Sequence, residues 1–245
     1  MLTDQSNENI AREFWQDTGL KQHFPRDIEK AIALKLPLTL VKLSQLTVPV
    51  MRRWLRSRDL LVRVPEDRRD MMGCLVAYRG FGIVFVCGAD SQDEQRLTVA
   101  HETGHFLHDY HLPRQAILMS LGNDMMTVLD GERRPTPGER ANAVLAHLRL
   151  GPHVHLLPRN GRDEESDPMV AEAEANADSL GIELVAPRDA IVRFLRTDFS
   201  GTAEEIHDAL STQFGLPHYV FDRFVKHVTQ PRLISFLDDI RTALK

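Results

Sequence analysis

A chain of 245 residues with 42% hydrophobic and 27% charged side chains can bury a sizeable core and is too apolar to be disordered. No apolar run approaches the ~18 residues of a membrane span, and a net charge of −5 argues against a protein that coats nucleic acid. The start, MLTDQSNENIAREFWQ, lacks the basic stretch and apolar segment of a secretory signal, so the expected location is the cytoplasm.

Residues 1 to about 70 read as a mostly helical part. In LTLVKLSQLTVPVMRRWLRSR, the spacing of Leu40, Leu46, Met51 and Trp54 suits a helix, a turn and a second helix capped by Thr47, an outline resembling a helix-turn-helix. The basic run RRWLRSRDLLVRVPEDRR interleaves seven arginines with three acids and reads as a solvated face.

Residues 71 to about 195 form the chemical part. CLVAYRGFGIVFVC holds two β-rich runs flanking Gly80 and Phe81, which predicts a hairpin with a two-residue turn there and Cys74 opposite Cys87. Both cysteines are expected to be reduced core residues. Next, SQDE is a capping box, Ser91 with Glu94, so a helix starts near Gln92 and runs to Pro113. Within RLTVAHETGHFLHDYH, His101 and His105 stand four apart on one helix face, the spacing with which a helix offers two imidazoles to one zinc ion. Glu102 projects to the side, where it can act as a general base without taking a coordination position. Chance alone gives roughly 0.03 occurrences of H-E-x-x-H in this composition, and the capped helix after a hairpin lowers that further.

Two sets of residues compete for the third ligand. His111 completes H-E-x-x-H-x-x-H-x-x-H, close to the metzincin pattern, but His108 replaces the glycine at which that chain turns. In a continuous helix, His111 would lie about 15 Å along the axis from His101, too far to share an ion. The other set is in DPMVAEAEANADSLGIELVAP, a helix capped by Asp167, with Pro168 at its first position and Pro187 at its end. Glu172, Ala175, Asn176 and Ser179 share one face; the anionic side chain among small residues suits a ligand, and Asn176 could hold a ligating histidine by hydrogen bond. Between the two helices, Thr136 and Glu139 form another capping box, with Gly151 as a stop. The loop GPHVHLLPRNGRDEESD comes next; its His153 and His155 could bind metal, but an isolated H-x-H in a polar loop is expected to face solvent, and Glu139 is a fallback ligand.

Residues 196 to 245 read as helical again, from the box Thr202 and Glu205 through the interruption FGLP, and this part also has a helix-turn-helix outline. Its cations are few and interleaved with Glu204, Glu205, Asp208, Asp222, Asp238 and Asp239, which argues against direct DNA binding. Ile206, Leu210, Phe214, Val220, Phe221 and Phe224 exceed what two helices can bury, so this part should pack on the catalytic part or a partner.

The pairing of RLTVAHETGH with EAEANADSLGIELVAP resembles the ImmA/IrrE metallopeptidases, whose pattern runs roughly [FL]-T-x-A-H-E-x-G-H and later E-x-x-A-[ND]-x-F-A-x-x-L-L-x-P. The resemblance covers residues 71 to about 195, with the segment around 114–166 as an insertion. It implies an α+β fold with a zincin-like core and helical flanking parts. It further implies one zinc, or manganese in the cell, held by His101, His105 and Glu172, and an endopeptidase that cuts a helix-turn-helix repressor to induce stress or mobile-element genes. His108, Tyr110 and Tyr219 are the candidate donors to the oxyanion. The hairpin edge near residues 82 to 87 could take an extended substrate as an added strand. The competing class is a non-catalytic regulatory or DNA-binding protein that works through its helix-turn-helix segments.

Overall fold

The computed structural model describes residues 2–16, 18–21, 23–140, 151–159, 167–197 and 202–222. Helices α1 (Leu2–Trp15) and α2 (Ile28–Lys35) lead into strand β1 (Leu38–Leu43), helix α3 (Val48–Arg56) and the hairpin β2 (Met71–Tyr78) and β3 (Phe81–Cys87). Helix α4 (Gln92–His105) continues through a π-helical turn, Phe106–His111, into α5 (Leu112–Leu121) and, after a 3₁₀ turn, α6 (Met126–Leu129). Strand β4 (His153–Pro158) and helices α7 (Pro168–Val185), α8 (Arg188–Thr197) and α9 (Ala203–Phe214) complete the described chain.

The result is a mixed α+β fold around one four-stranded sheet in the order β1-β3-β2-β4, in which β1 runs parallel to β3 and the other pairs are antiparallel. Side chains alternate between its two faces. Leu75, Ala77, Val84 and Val86 point into the larger core, with residues of α1, α2, α4 and α7. Cys74, Val76, Phe85 and Cys87 point the other way, onto Met51 and Leu55 of α3.

Three sequence expectations change. Leu38–Leu43 is a strand and not the first helix of a helix-turn-helix: Leu38 and Leu40 join one core while Val41 and Leu43 join the other, the period of two that covers both faces of a sheet. Thr47 does cap α3, its hydroxyl accepting from the Val50 N–H. The hairpin turns at Arg79 and Gly80, both at positive φ (52° and 84°), as a type I′ turn requires. Tyr78 then faces Phe81 and Cys74 faces Phe85. The expected register is off by two, which keeps every side chain on its face but takes Cys87 away from Cys74. Both cysteines are free and buried. Finally, β3 is paired on both sides, by β1 and β2, so residues 82 to 87 offer no edge; among the described residues the outer strands are β1 and β4.

The supposed insertion therefore supplies a strand. Residues 153–158 pair antiparallel with β2, and Arg159 fixes the end of β4 through an ion pair with the partly buried Asp90 (2.6 Å) and its N–H to the Asp70 carbonyl (2.8 Å). Around the segment from α5 to α6, Ile117, Met125, Val128 and Leu129 make a small core of their own. The capping box of Thr136 and Glu139 is present, while residues 141–150 lie outside the described residues.

The C-terminal part packs on the rest. The box of Thr202 and Glu205 opens α9, and Gly215, at φ 61°, closes it. Leu210, Phe214, Leu216, Val220 and Phe221 belong to the core that also holds Phe106 and Leu184, and Arg96 of α4 donates to the Gly215 carbonyl. The remainder of this part, with Phe224, Asp238 and Asp239, lies outside the described residues. No helix among the described residues is long and apolar enough to cross a membrane.

The contact of α4 with α7 positions the site. A Cβ on Gly104 would stand 2.6 Å from the Ala177 carbonyl oxygen, and one on Gly181 3.0 Å from the Ala100 carbonyl. These glycines let two helix backbones touch, and nothing flexible stands in the way to yield. Gly104→Ala should therefore lower the urea midpoint by an amount worth about 1–3 kcal/mol, the usual cost of overpacking. Gly138→Ala, with no atom within 4 Å of the new methyl, should cost nothing.

Candidate metal centre

Helix α4 starts where the sequence says, with Ser91 and Glu94 satisfying each other's backbone N–H groups. From Thr98 to His105 every residue is buried, because the sheet lies on one side of the helix and α7 on the other. His101 and His105, one turn apart, stand edge to face with centroids 4.8 Å apart. Glu174 of α7 completes the convergence: its Oε2 lies 3.5 Å from His101 Nε2 and 3.5 Å from His105 Nε2. Both Nε2 atoms are buried and have no hydrogen-bond partner. Nitrogen atoms stripped of water without a bond in return are costly in a folded protein, unless a ligand takes their lone pairs.

The other ring nitrogens show that the lone pairs are deliberately turned inward. His101 Nδ1 meets Asp178 Oδ1 at 2.7 Å, and His105 Nδ1 meets Asp109 Oδ2 at 2.6 Å. A carboxylate can only accept, so each Nδ1 carries the proton and each Nε2 is left as a donor atom for a metal. This carboxylate–histidine arrangement is the usual outer support of a ligating imidazole. Burial works against a charge on His105, but the hydrogen bond its Nδ1 donates to Asp109 and the carboxylate of Glu174 facing it at 3.5 Å outweigh it and raise its pKa.

Glu102 is fully buried beside this group, in space that exists because residue 73 is glycine; a Cβ there would come within 2.8 Å of Glu102 Oε1. Its second oxygen accepts from His155 Nδ1 at 2.9 Å, and His155 Nε2 donates to Glu174 Oε1 at 2.8 Å. Burial alone would raise the Glu102 pKa; the charge and hydrogen bond of His155, with His101 and His105, bring it below the ordinary value. Glu174 is likewise held low against its burial by the His105 ring facing it at 3.5 Å and by the hydrogen bond and charge of His155. Desolvation opposes a charge on His155, yet the two carboxylates push its pKa up to about 10.

The structure thus brings together His101, Glu102 and His105 from the sequence motif and adds Glu174 and His155. Glu172 is exposed, because two residues along a helix turn a side chain by about 200°. Asn176 is partly buried, and the position that holds His101 belongs to Asp178. His111 stacks on Phe106 (5.2 Å) and is outside the cluster, as is Glu139, which is tied to Arg133 and Thr136. Of the expected oxyanion donors, His108 faces Asn7 of α1 (3.0 Å) and is held below its usual pKa by burial. Tyr110 is buried with its hydroxyl on the Gly80 N–H. Tyr219 is about half exposed, its pKa raised by partial burial and by Glu94, Asp90 and Asp178.

Glu174 could have been found by counting backwards. In the pattern E-x-x-A-[ND]-x-F-A-x-x-L-L-x-P the glutamate stands 13 positions before the proline; from Pro187 that is residue 174, with Ala177, Asp178, Leu180, Gly181, Leu184 and Val185 all in register. Period two in HVHLLP would have found His155: Val154 and Leu156 face the core of α3, so His153 and His155 face α4.

Ligand atoms of His101, His105, His155 and Glu174 all lie within 4.8 Å of one another, and this buried group could hold a metal ion. Comparison with protein-family models, with curated proteins and with solved structures gives no match. Metal analysis after dialysis against zinc separates the two glutamates: Glu174→Ala should lose the bound ion while Glu172→Ala keeps it at full stoichiometry.

Proposed function

We propose that the chain is a zinc-dependent endopeptidase of the ImmA/IrrE type, with a zincin-like core. Its substrate would be a protein, namely a helix-turn-helix transcriptional repressor. The observation that carries this reading is the pair of unpartnered Nε2 atoms aimed at Glu174 with a buried carboxylate, Glu102, beside them. Ligand atoms 2.0–2.1 Å from a tetrahedral zinc stand about 3.3–3.4 Å apart; the two histidine-to-glutamate separations here are 3.5 Å. His101, His105 and Glu174 would hold the ion, and two nitrogens with one carboxylate oxygen form a donor set that leaves a fourth position open.

Bound zinc would make a water nucleophilic near neutral pH and polarise the scissile carbonyl. The chain's own residues do the rest. Glu102 takes a proton from the attacking water as its oxygen bonds to the carbonyl carbon, and delivers that proton to the departing amine nitrogen as the C–N bond breaks. Asp178 and Asp109 keep the histidines in the tautomer that coordinates. Burial excludes bulk water from Glu102, so its proton goes to the reacting groups.

A second reading takes His155 as a fourth ligand, which would close the site and make it structural; the common 4.8 Å grouping favours it. Against it, both His155 nitrogens already bind carboxylates, and a closed site gives Glu102 no task.

The test is incubation of the zinc-loaded protein with candidate helix-turn-helix repressors, with intact-mass measurement of the products. Two fragments whose masses sum to the substrate plus one water are expected. Glu102→Gln should retain the fold and the metal and slow this cleavage ~10²–10⁴-fold, the range for loss of a general base. Cleavage by that variant at the wild-type rate would refute the mechanism.

A further inference from the structure

We propose that His155 is a positioning residue that ties the base and the metal ligand into one constellation, with one ring nitrogen on Glu102 and the other on Glu174. The roles of the two glutamates are those of the metallopeptidase reading above. Three observations carry the inference. The contacts are divided: His155 Nε2 takes Glu174 Oε1 (2.8 Å), which leaves Oε2 as the atom turned to His101 and His105. On the other side, His155 Nδ1 takes Glu102 Oε2 (2.9 Å), while Glu102 Oε1 has no hydrogen-bond partner. One rigid ring therefore sets how far apart, and at what angle, the two carboxylates stand.

The ring is itself fixed. It stacks on His105 with centroids 3.8 Å apart and planes inclined by 29°. Its backbone sits opposite Leu75 on β2, on the sheet face that looks at α4, and the ion pair of Arg159 with Asp90 anchors the end of β4 to the loop that enters α4. An ordinary core histidine would bond to backbone or to neighbours of no chemical consequence; this one bonds to the two carboxylates beside the unpartnered nitrogens. Groups that orient metal ligands in this way typically account for 10–100-fold in metal affinity or activity.

Amide side chains separate the two bonds. The amide of glutamine reaches where Nε2 sits and can still donate to Glu174; that of asparagine reaches only where Nδ1 sits. Zinc affinity is read by competition with a chromogenic chelator on the full chain, with the cobalt-substituted absorption spectrum as a second readout. His155→Gln should bind zinc within about threefold of wild type, whereas His155→Asn and His155→Ala should bind it ~10–100-fold more weakly. The cobalt spectrum should keep its shape in all three.

If all three variants match wild type, or if glutamine fails to rescue, the proposal is wrong. A changed cobalt spectrum in every variant would instead make His155 a ligand, which also overturns it. Should the alanine variant not fold, the glutamine and asparagine pair decides alone. The Glu102 half is checked by urea midpoints of His155→Ala, Glu102→Gln and the double variant: the effects should be non-additive, and strict additivity would remove Glu102 from the assignment. Wild-type protein that takes up no zinc would bring down the metallopeptidase reading itself, a failure distinct from unchanged affinity in the variants.

Discussion

The site depends on how closely α4 and α7 approach. Two helices ordinarily pack 8–10 Å apart, with side chains between them. Here Gly104 faces Ala177 and Gly181 faces Ala100, so backbone meets backbone. Only at that distance does a glutamate on α7 bring its Oε2 between the Nε2 atoms of two histidines on α4. The sheet then fixes α4 from the other side, where Gly73 leaves room for Glu102 and Thr98. Small residues on three elements thus make space for four large polar ones.

Electrostatics explains why the polar group tolerates burial. Glu102, Glu174, Asp109 and Asp178 surround three imidazoles, and unpaired carboxylates in such surroundings would be strongly penalised. Each one is hydrogen-bonded to a histidine. The two innermost, Glu102 and Glu174, share His155. Asp178 and Asp109, on the outside, are only partly buried and hold the other two rings from the solvent side. The charge pattern is anionic around an inward-facing pair of lone pairs, which favours a cation at the centre.

How much of this is legible in the sequence varies with the range of the interaction. Local signals carry α4, α7 and α9, because a capping box or an Asp-Pro start is written in three or four adjacent residues. His101, Glu102 and His105 are legible for the same reason. Non-local pairing is not. The strand β1 reads as helix because a short run such as LTLVKL, with four apolar residues in six, fits either period until its partner β3 is known. β4 reads as a loop because it joins β2 from about 80 residues further along the chain, and its two histidines are expected in solvent as a result. The choice of Glu172 over Glu174 is a different failure: both lie on one helix in the right place, and the small face around Glu172 is matched by a second face, Ala177 and Gly181, that packs more deeply.

The most direct measurement is anomalous diffraction at the zinc edge from crystals of the zinc-loaded protein. The account predicts one strong peak among His101 Nε2, His105 Nε2 and a Glu174 oxygen, about 2.0–2.2 Å from each, with His155 still bonded to Glu102. A peak coordinated by Glu172 or His111, or no ordered peak near His101 and His105 at full zinc occupancy, would contradict it.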